Sequence, residues 1–286
     1  MALLISQAAN RKPLPSIVQV VAEAHGLDFS PFDESFLAKI IDRRRQAKGG
    51  ESAADYARRV ATDRAEAAAV QRSLHISHSE FFREPVAFAL LEQQFFPSLL
   101  GNASAARRHE IRVWSAGCAG GQEPWSVAML LDDLIAADQK EISYRIFATT
   151  AAEEELAVAR AGVYSESQLG NVRWKHLQQC FSPQQGSYAI VQRLKDHVDF
   201  SVHDLLDGHH HGPSASIYGD FDLVLCCNVL IYYRPEIQLR ILKNLLFCLA
   251  PHGCLVVGEA ERHLVEQTGD FRELSALGNV YQPLHR

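Results

Sequence analysis

The stretch VWSAGCAGGQEPWS, Val113 to Ser126, carries the change of period on which the fold turns. The residues leading into it, EIRVW, form a short apolar run of strand type, and EPWSVAMLLDDLIAA has helical length and spacing. Between them stand Gly117, Gly120 and Gly121. Glycines at the carboxyl end of a first strand let the backbone approach a ligand closely. Their spacing is not the G-x-G-x-x-G of the dinucleotide fingerprint, and glycine-rich strand-to-helix turns are common. The turn alone therefore names no ligand. Glu123, at the opening of the helix, is either a favourable charge at a helix N-terminus or the partner of an ammonium group.

Outward from this turn the same alternation repeats. YRIFATT reads as a strand and EEELAVARAG as a helix. DFDLVLCCNVLIYY reads as a buried strand, PEIQLRILKNLLFCLAP as a helix and GCLVVGEAE as a further strand. Apolar strands alternating with amphipathic helices predict an α/β fold with a doubly wound parallel sheet. In nucleotide-binding sheets of this kind the second strand usually ends in an acid that holds the ribose hydroxyls. Here Thr149 and Thr150 stand there, and the carboxylates begin only at Glu153. Asn228 is a polar residue in an otherwise apolar strand and needs partners, from a ligand or from the backbone. Tyr232 falls at the same strand end, and both residues read equally well as structural. Over 178–202 short alternating runs predict a small antiparallel addition.

Before residue 85 the pattern is helical: PSIVQVVAEAHG, ESFLAKIIDRRRQAKGG and SAADYARRVATDRAEAAAVQRSL. Phe36, Leu37, Ile40 and Ile41 make one apolar face of the second helix, and Gly49–Gly50 supply a stop. Ser52 caps the third helix, with Asp55 in a capping-box-like position. A helical domain over 1–84 and an α/β domain over 85–286 are expected. Lys39, Arg43 and Arg44 lie on or beside the polar face of the second helix, with further basic residues up to Lys48. They form either a solvated helix face or a docking stripe for an acidic partner. At the junction, SHSEFFREPVAF places Phe81 and Phe82 as core residues and Arg83 beside the expected domain boundary.

The 286 residues carry a net charge of −6, which argues against nucleic acid as the main partner. No apolar run approaches the ~20 residues that cross a bilayer, so no membrane insertion is expected. The start of the chain lacks the pattern of a secretory signal. Six cysteines without C-x-x-C spacing read as free thiols of a cytoplasmic protein. His209–His211 sit in a Gly/Pro/Ser-rich stretch that reads as a solvated loop, and no metal is expected.

Taken in order, FFRE at 81–84, WSAG and GQEPWS at 114–126, ARAGVY at 159–164, NVLIYY at 228–233 and G-x-x-E at 258–261 resemble the chemotaxis receptor methyltransferases, the CheR family. Each motif is weak alone, and the ordered set is specific. The resemblance runs from the first predicted helix to the end of the chain. It implies a class I S-adenosylmethionine methyltransferase domain with a Rossmann-like doubly wound sheet. A small all-helical N-terminal domain and a small antiparallel β-addition would accompany it. It further implies methyl transfer from S-adenosylmethionine to receptor glutamates, with S-adenosylhomocysteine as product. Ser79, where the family has threonine, and Arg83 would face the cofactor and the reacting centre. Ala116, Gly117 and Glu123 would hold the methionine part, and Asp204 and Leu205 would flank the adenine. Asn228 would also contact the cofactor, and Tyr232 would lie near the transferred methyl. Arg83 and Tyr232 are thus the expected catalytic residues. The stripe of Lys39, Arg43 and Arg44 resembles the part that docks on the cytoplasmic helical region of the receptor.

Two departures stand out. Thr150 replaces the ribose-binding aspartate of the family, and Cys227 replaces the arginine that precedes Asn228. A carboxylate on ribose hydroxyls is worth about 1.5–3 kcal/mol per charge-assisted bond, so the first change weakens the expected cofactor site. Lesser changes are GQEPW for GEEPY and G-E-A-E for G-H-S-E. The segment SPQQGSYAIVQR lacks the longer glycine-rich loop of members that grip a receptor's C-terminal peptide, so no binding of such a pentapeptide is expected. The alternative is a degenerate relative with little or no methyl transfer, acting as scaffold or sensor in a chemosensory pathway.

Overall fold

The computed structural model describes residues 14–74, 78–105, 110–138, 142–216, 219–276 and 278–284. By contact the chain divides into two compact units. Met1–Ile76 groups with Tyr232–Ile237, and Ser77–Ile231 groups with Gln238–Arg286. The pattern change expected at residue 85 thus falls inside the second unit, in whose core Phe81 and Phe82 pack.

The first unit holds α1 (Leu14–His25), α2 (Glu34–Ala47), α3 (Ala53–Thr62) and α4 (Arg64–Arg72). The apolar face read for α2 is buried, with Phe36, Leu37, Ile40 and Ile41 in one core with Val21, Tyr56, Val60 and Val70. Ser52 caps α3 as expected, its hydroxyl accepting from Asp55 N at 3.1 Å. The third helix of the sequence reading is two helices. Asp63 leaves the helical region (φ −99, ψ 97) and its carboxylate accepts from Ala65 N and Glu66 N. An aspartate able to cap competes with its own place inside a helix, and here the cap wins. Glu66, 2% exposed, takes Arg44 at 2.8 Å and Lys48 at 3.0 Å. The Tyr56 hydroxyl adds a third bond to it at 2.9 Å. The return segment pairs here too: Asp33 N donates to Tyr232 O at 3.0 Å, and the Tyr232 ring lies 4.8 Å from that of Phe36.

The second unit begins with α5 (Pro85–Leu90), a π-helical turn at Leu91–Phe95 and α6 (Phe96–Ala105). β1 (Glu110–Ala116), α7 (Gln122–Asp138), β2 (Ser143–Thr150) and α8 (Glu153–Ala161) then follow the alternation read from the sequence. β3 (Val163–Ser165), α9 (Trp174–Cys180), β4 (Phe181–Gln184), β5 (Ser187–Ile190), α10 (Gln192–Lys195) and β6 (Val198–Val202) come next. β7 (Phe221–Cys226), α11 (Pro235–Cys248), β8 (Leu249–Val257), α12 (Arg262–Thr268), β9 (Phe271–Glu273) and β10 (Val280–Pro283) complete it.

The seven-stranded sheet runs β6-β2-β1-β7-β8-β10-β9, parallel from β6 to β8, with β10 antiparallel to both of its neighbours. All six residues of β7 are buried, as a strand covered on both faces requires. Consecutive βαβ crossovers carry the chain outward from β1 in one direction through β2 and in the other through β7 and β8. The small antiparallel sheet is present, in the order β3-β5-β4. Its extent differs from the expected 178–202. Val198–Val202 pairs in parallel with β2 as the edge of the main sheet, and Val163–Ser165 joins the addition instead. A second correction concerns β7, which stops at Cys226; Asn228 lies beyond it with φ +60, and Leu230–Tyr232 form a 3-10 turn. Among the described residues no helix is long and apolar enough to cross a membrane.

Candidate cofactor site

The strand order reverses between β1 and β7, and in open α/β sheets the crevice at such a switch point is where ligands bind. At their carboxyl ends the two strands deliver the Gly117 turn and the segment Cys227–Val229. These loops touch. Gly117 has φ +86, and a Cβ on it would stand 2.5 Å from Val229 Cγ2, so the close approach requires glycine. The turn is fixed from its other side by β2: Gly117 N and Cys118 N both donate to Thr149 O at 2.8 Å.

Glu123, in the first turn of α7, faces back to β1. Ser115 Oγ donates to its Oε1 at 2.7 Å, and the Cys227 thiol is within hydrogen-bond reach. Burial pushes the Glu123 carboxyl up to about 7. Ser115 and Cys227 pull it down, while the charges of Glu261 and Glu84 push it further up. Among the described residues no cationic side chain pairs with it. A half-buried carboxylate without a cation, at a glycine turn over a switch point, fits the ammonium of an amino-acid ligand.

The segment after β7 is held by an anion from the same chain. Glu261, fully buried, accepts from Asn228 N (2.8 Å), Gly258 N (2.8 Å), Leu230 N (2.7 Å) and Ile231 N (3.3 Å). Burial raises its pKa, against the lowering effect of these four donors. The Asn228 amide donates to Glu84 Oε1 at 3.1 Å. Asn228, half-buried, is thus held by two carboxylates, Glu84 on its side-chain amide and Glu261 on its backbone N–H.

Arg83 precedes Glu84 and is exposed, its Nη1 donating to His78 O at 3.2 Å. Its placement follows from the turn before it. Phe82 has φ +51, a conformation rare for a bulky residue, and its N–H donates to Ser126 Oγ at 3.0 Å on α7. Phe81 is fully buried, edge-on to Tyr164 at 4.9 Å, and Tyr164 OH in turn donates to Gly120 O at 2.8 Å. The FFRE and ARAGVY motifs thus brace the glycine turn from behind. Ser79 is half-buried in the same approach.

At the end of β2, Thr149 is structural: its hydroxyl accepts from Trp114 Nε1 at 3.0 Å. Thr150 Oγ1 donates to Glu155 Oε2 at 2.6 Å, and Thr150 O accepts from His203 N at 3.1 Å. Asp204, exposed, turns its Oδ1 onto Leu206 N at 2.9 Å and so shapes the loop that presents Leu205.

Residues 77–278 match the family model described as "CheR methyltransferase, SAM binding domain". The chain belongs to the CheR methyltransferase family. S-adenosylmethionine is the ligand named for that family's domain. The chain is 31% identical over 271 residues to an uncharacterized 104.1 kDa protein of Rhodobacter capsulatus, covering 95% of this chain and 27% of that protein. It is 34% identical over 193 residues to the chemotaxis protein methyltransferase of Escherichia coli, covering 66% of this chain and 62% of that one. With the chemotaxis protein methyltransferase of Salmonella typhimurium the identity is 30% over 277 residues, covering 94% and 89%. The chain therefore spans less than two thirds of the length of the first two relatives and most of the third.

Of the residues expected to hold the CheR cofactor, Ala116, Gly117, Glu123 and Asn228 gather around the switch point. Thr150, Asp204 and Leu205 follow along the ends of β2 and β6. Tyr232 belongs by contact to the helical unit. Sequence reading missed Ser115, Glu84, Glu155 and Glu261. Three of these lay inside quoted motifs, Glu84 in FFRE, Ser115 in WSAG and Glu261 in G-x-x-E, and Glu155 in the quoted helix EEELAVARAG, but no local signal singled out their roles.

Proposed function

We propose that this protein is an S-adenosylmethionine-dependent methyltransferase that esterifies glutamate side chains of chemotaxis-type receptors in the cytoplasm. The observation that carries the reading is Glu123, a carboxylate with no cationic partner among the described residues, set at the glycine turn of a CheR-family domain. Bound S-adenosylmethionine supplies a methyl group on a sulfonium, open to in-line displacement by a carboxylate oxygen. A glutamate with its ordinary pKa near 4.3 is already anionic at neutral pH, so no general base is required of the chain. Its residues have to align and dehydrate. Glu123 receives the ammonium of the methionine part, and the Gly117 turn lets the backbone come close to it. Asn228, fixed by Glu84 and Glu261, offers a rigid polar edge. Arg83 carries an exposed guanidinium that positions the substrate carboxylate, and Tyr232 stays a second catalytic candidate on the family resemblance alone. For docking on an acidic helical receptor region, Lys39 and Arg43 are exposed on α2, whereas Arg44 is engaged with Glu66.

A second reading, a relative that binds without transferring, is favoured by one observation: a thiol, Cys227, stands beside Glu123 where the family has arginine. Two measurements separate the readings. Calorimetry with S-adenosylhomocysteine should give saturable heat, and labelled S-adenosylmethionine should mark glutamates of a receptor cytoplasmic fragment. No heat at millimolar ligand sinks the enzyme, and binding without label supports the scaffold.

A further inference from the structure

The end of β2 lacks the acid that ribose hydroxyls call for, yet a carboxylate stands beside it. Thr150 Oγ1 donates to Glu155 Oε2 at 2.6 Å. Glu155 is the third residue of α8 and half-buried. Its neighbours in the acidic run are used or directed otherwise: Glu153 Oε1 accepts from Arg160 Nη1 at 2.8 Å, and Glu154 is exposed. Among the described residues Thr150 is the one side chain that donates to Glu155, so Oε1 and a lone pair of Oε2 stay open. The strand end to which it is tied is also fixed on both sides. Thr149 O takes Gly117 N and Cys118 N, and Thr150 O takes His203 N. The strand end that holds the carboxylate therefore lies between the glycine turn and the segment that leads into Asp204 and Leu205.

We propose that Glu155, held in place by Thr150, supplies the carboxylate that receives the ribose hydroxyls of the nucleoside ligand. This deepens the proposed function and rests on it. The acid has moved from the strand onto the following helix, and the threonine has become its support. One carboxylate accepts both hydrogen bonds of a vicinal diol, and charge-assisted bonds of this kind are the strong ones. The Thr150 oxygen, its proton given to Glu155, keeps lone pairs for one ribose hydroxyl. α8 has no side-chain cap at its start, since its N-cap residue is Ala152. Glu155 thus bonds the strand end and leaves the helix terminus without a side-chain cap.

The test is calorimetric titration with S-adenosylhomocysteine and with its analogue lacking both ribose hydroxyls, on the wild-type chain and on Glu155→Gln. The wild type should bind the natural ligand at least about tenfold more tightly than the analogue. Glu155→Gln keeps an oxygen for Thr150 and should lose most of that preference, with an unchanged melting temperature as the control for folding. Thr150→Asp added to Glu155→Gln should restore it. If the wild type does not distinguish the two ligands, or if Glu155→Gln still does, the assignment of Glu155 is wrong while the proposed function stands. If the wild type binds neither, both fall together.

Discussion

Ser115 Oγ and Glu123 Oε1, 2.7 Å apart, join the last turn-facing side chain of β1 to the first turn of α7. The bond holds a carboxylate whose pKa burial has lifted to about 7 from an ordinary 4.5. A titration near neutrality in the middle of a candidate site has two consequences of opposite sign.

For the ligand-free protein, Glu123 favours the fold fully below 4.5, and that contribution is lost as pH rises through about 7. For a ligand carrying an ammonium the trend reverses, because only the ionised form pairs with it. Affinity for S-adenosylhomocysteine should fall about tenfold per pH unit below the Glu123 pKa. Calorimetry and thermal melts on the wild type and on Glu123→Gln check both limbs. The variant should bind weakly with a flatter profile, and a profile that keeps its acid limb would remove Glu123 from the role.

Gly258 is required by its neighbour. A Cβ there would stand 2.8 Å from Asn228 Nδ2 and 2.9 Å from Asn228 N, which Glu261 prevents from moving. Gly258→Ala should cost about 1–3 kcal/mol in urea unfolding. Gly170→Ala, with no atom within 4 Å of the added carbon, is the matched control and should be nearly silent.

The helical unit has its own pH dependence, centred on Glu66. Burial pushes this carboxyl up, but the bonds from Lys48, Arg44 and Tyr56 outweigh it and leave the pKa lowered. Its contribution is therefore present above the unfolded value of 4.5 and lost as pH falls through the lower folded value. Glu66→Gln should cost about 2 kcal/mol at neutral pH, since Arg44 and Lys48 remain partly hydrated. The loss should shrink in acid, as read by melts at descending pH. An equal loss at every pH would mean that packing, and not charge, holds the residue.

The architecture was legible because its signals are local. Each βα alternation carries its own period, and the Gly117 turn separates two of them within a few residues. What escaped depends on partners far along the chain. Asn228 reaches Glu84 across 144 positions, and no spacing rule reports such a pair. Val198–Val202 has an alternation that suits a small sheet as well as the edge of a large one, and only the exposed edge of β2 decides between them. The continuous apolar run through Asn228 read as one strand, although its backbone reverses hand at that residue. At Thr150 the absent acid implies a weakened ribose site, and in the assignment proposed above that place goes to Glu155, which accepts from Thr150 Oγ1. An aspartate placed at 150 alone would meet that carboxylate, not an empty space.

Glu261 binds the segment after β7 much as a bound anion fills a ring of backbone donors, but here the anion arrives covalently attached and late. During synthesis the glycine turn, β2 and β7 are all complete before residue 261 is added. Until then Asn228 has Glu84 on its side chain but no acceptor on the backbone N–H of its left-handed conformation. A chain cut short after α11 would carry every glycine of the turn and still lack one wall of the crevice. The residues after α11, 249–286, therefore decide when the segment after β7 takes its final form.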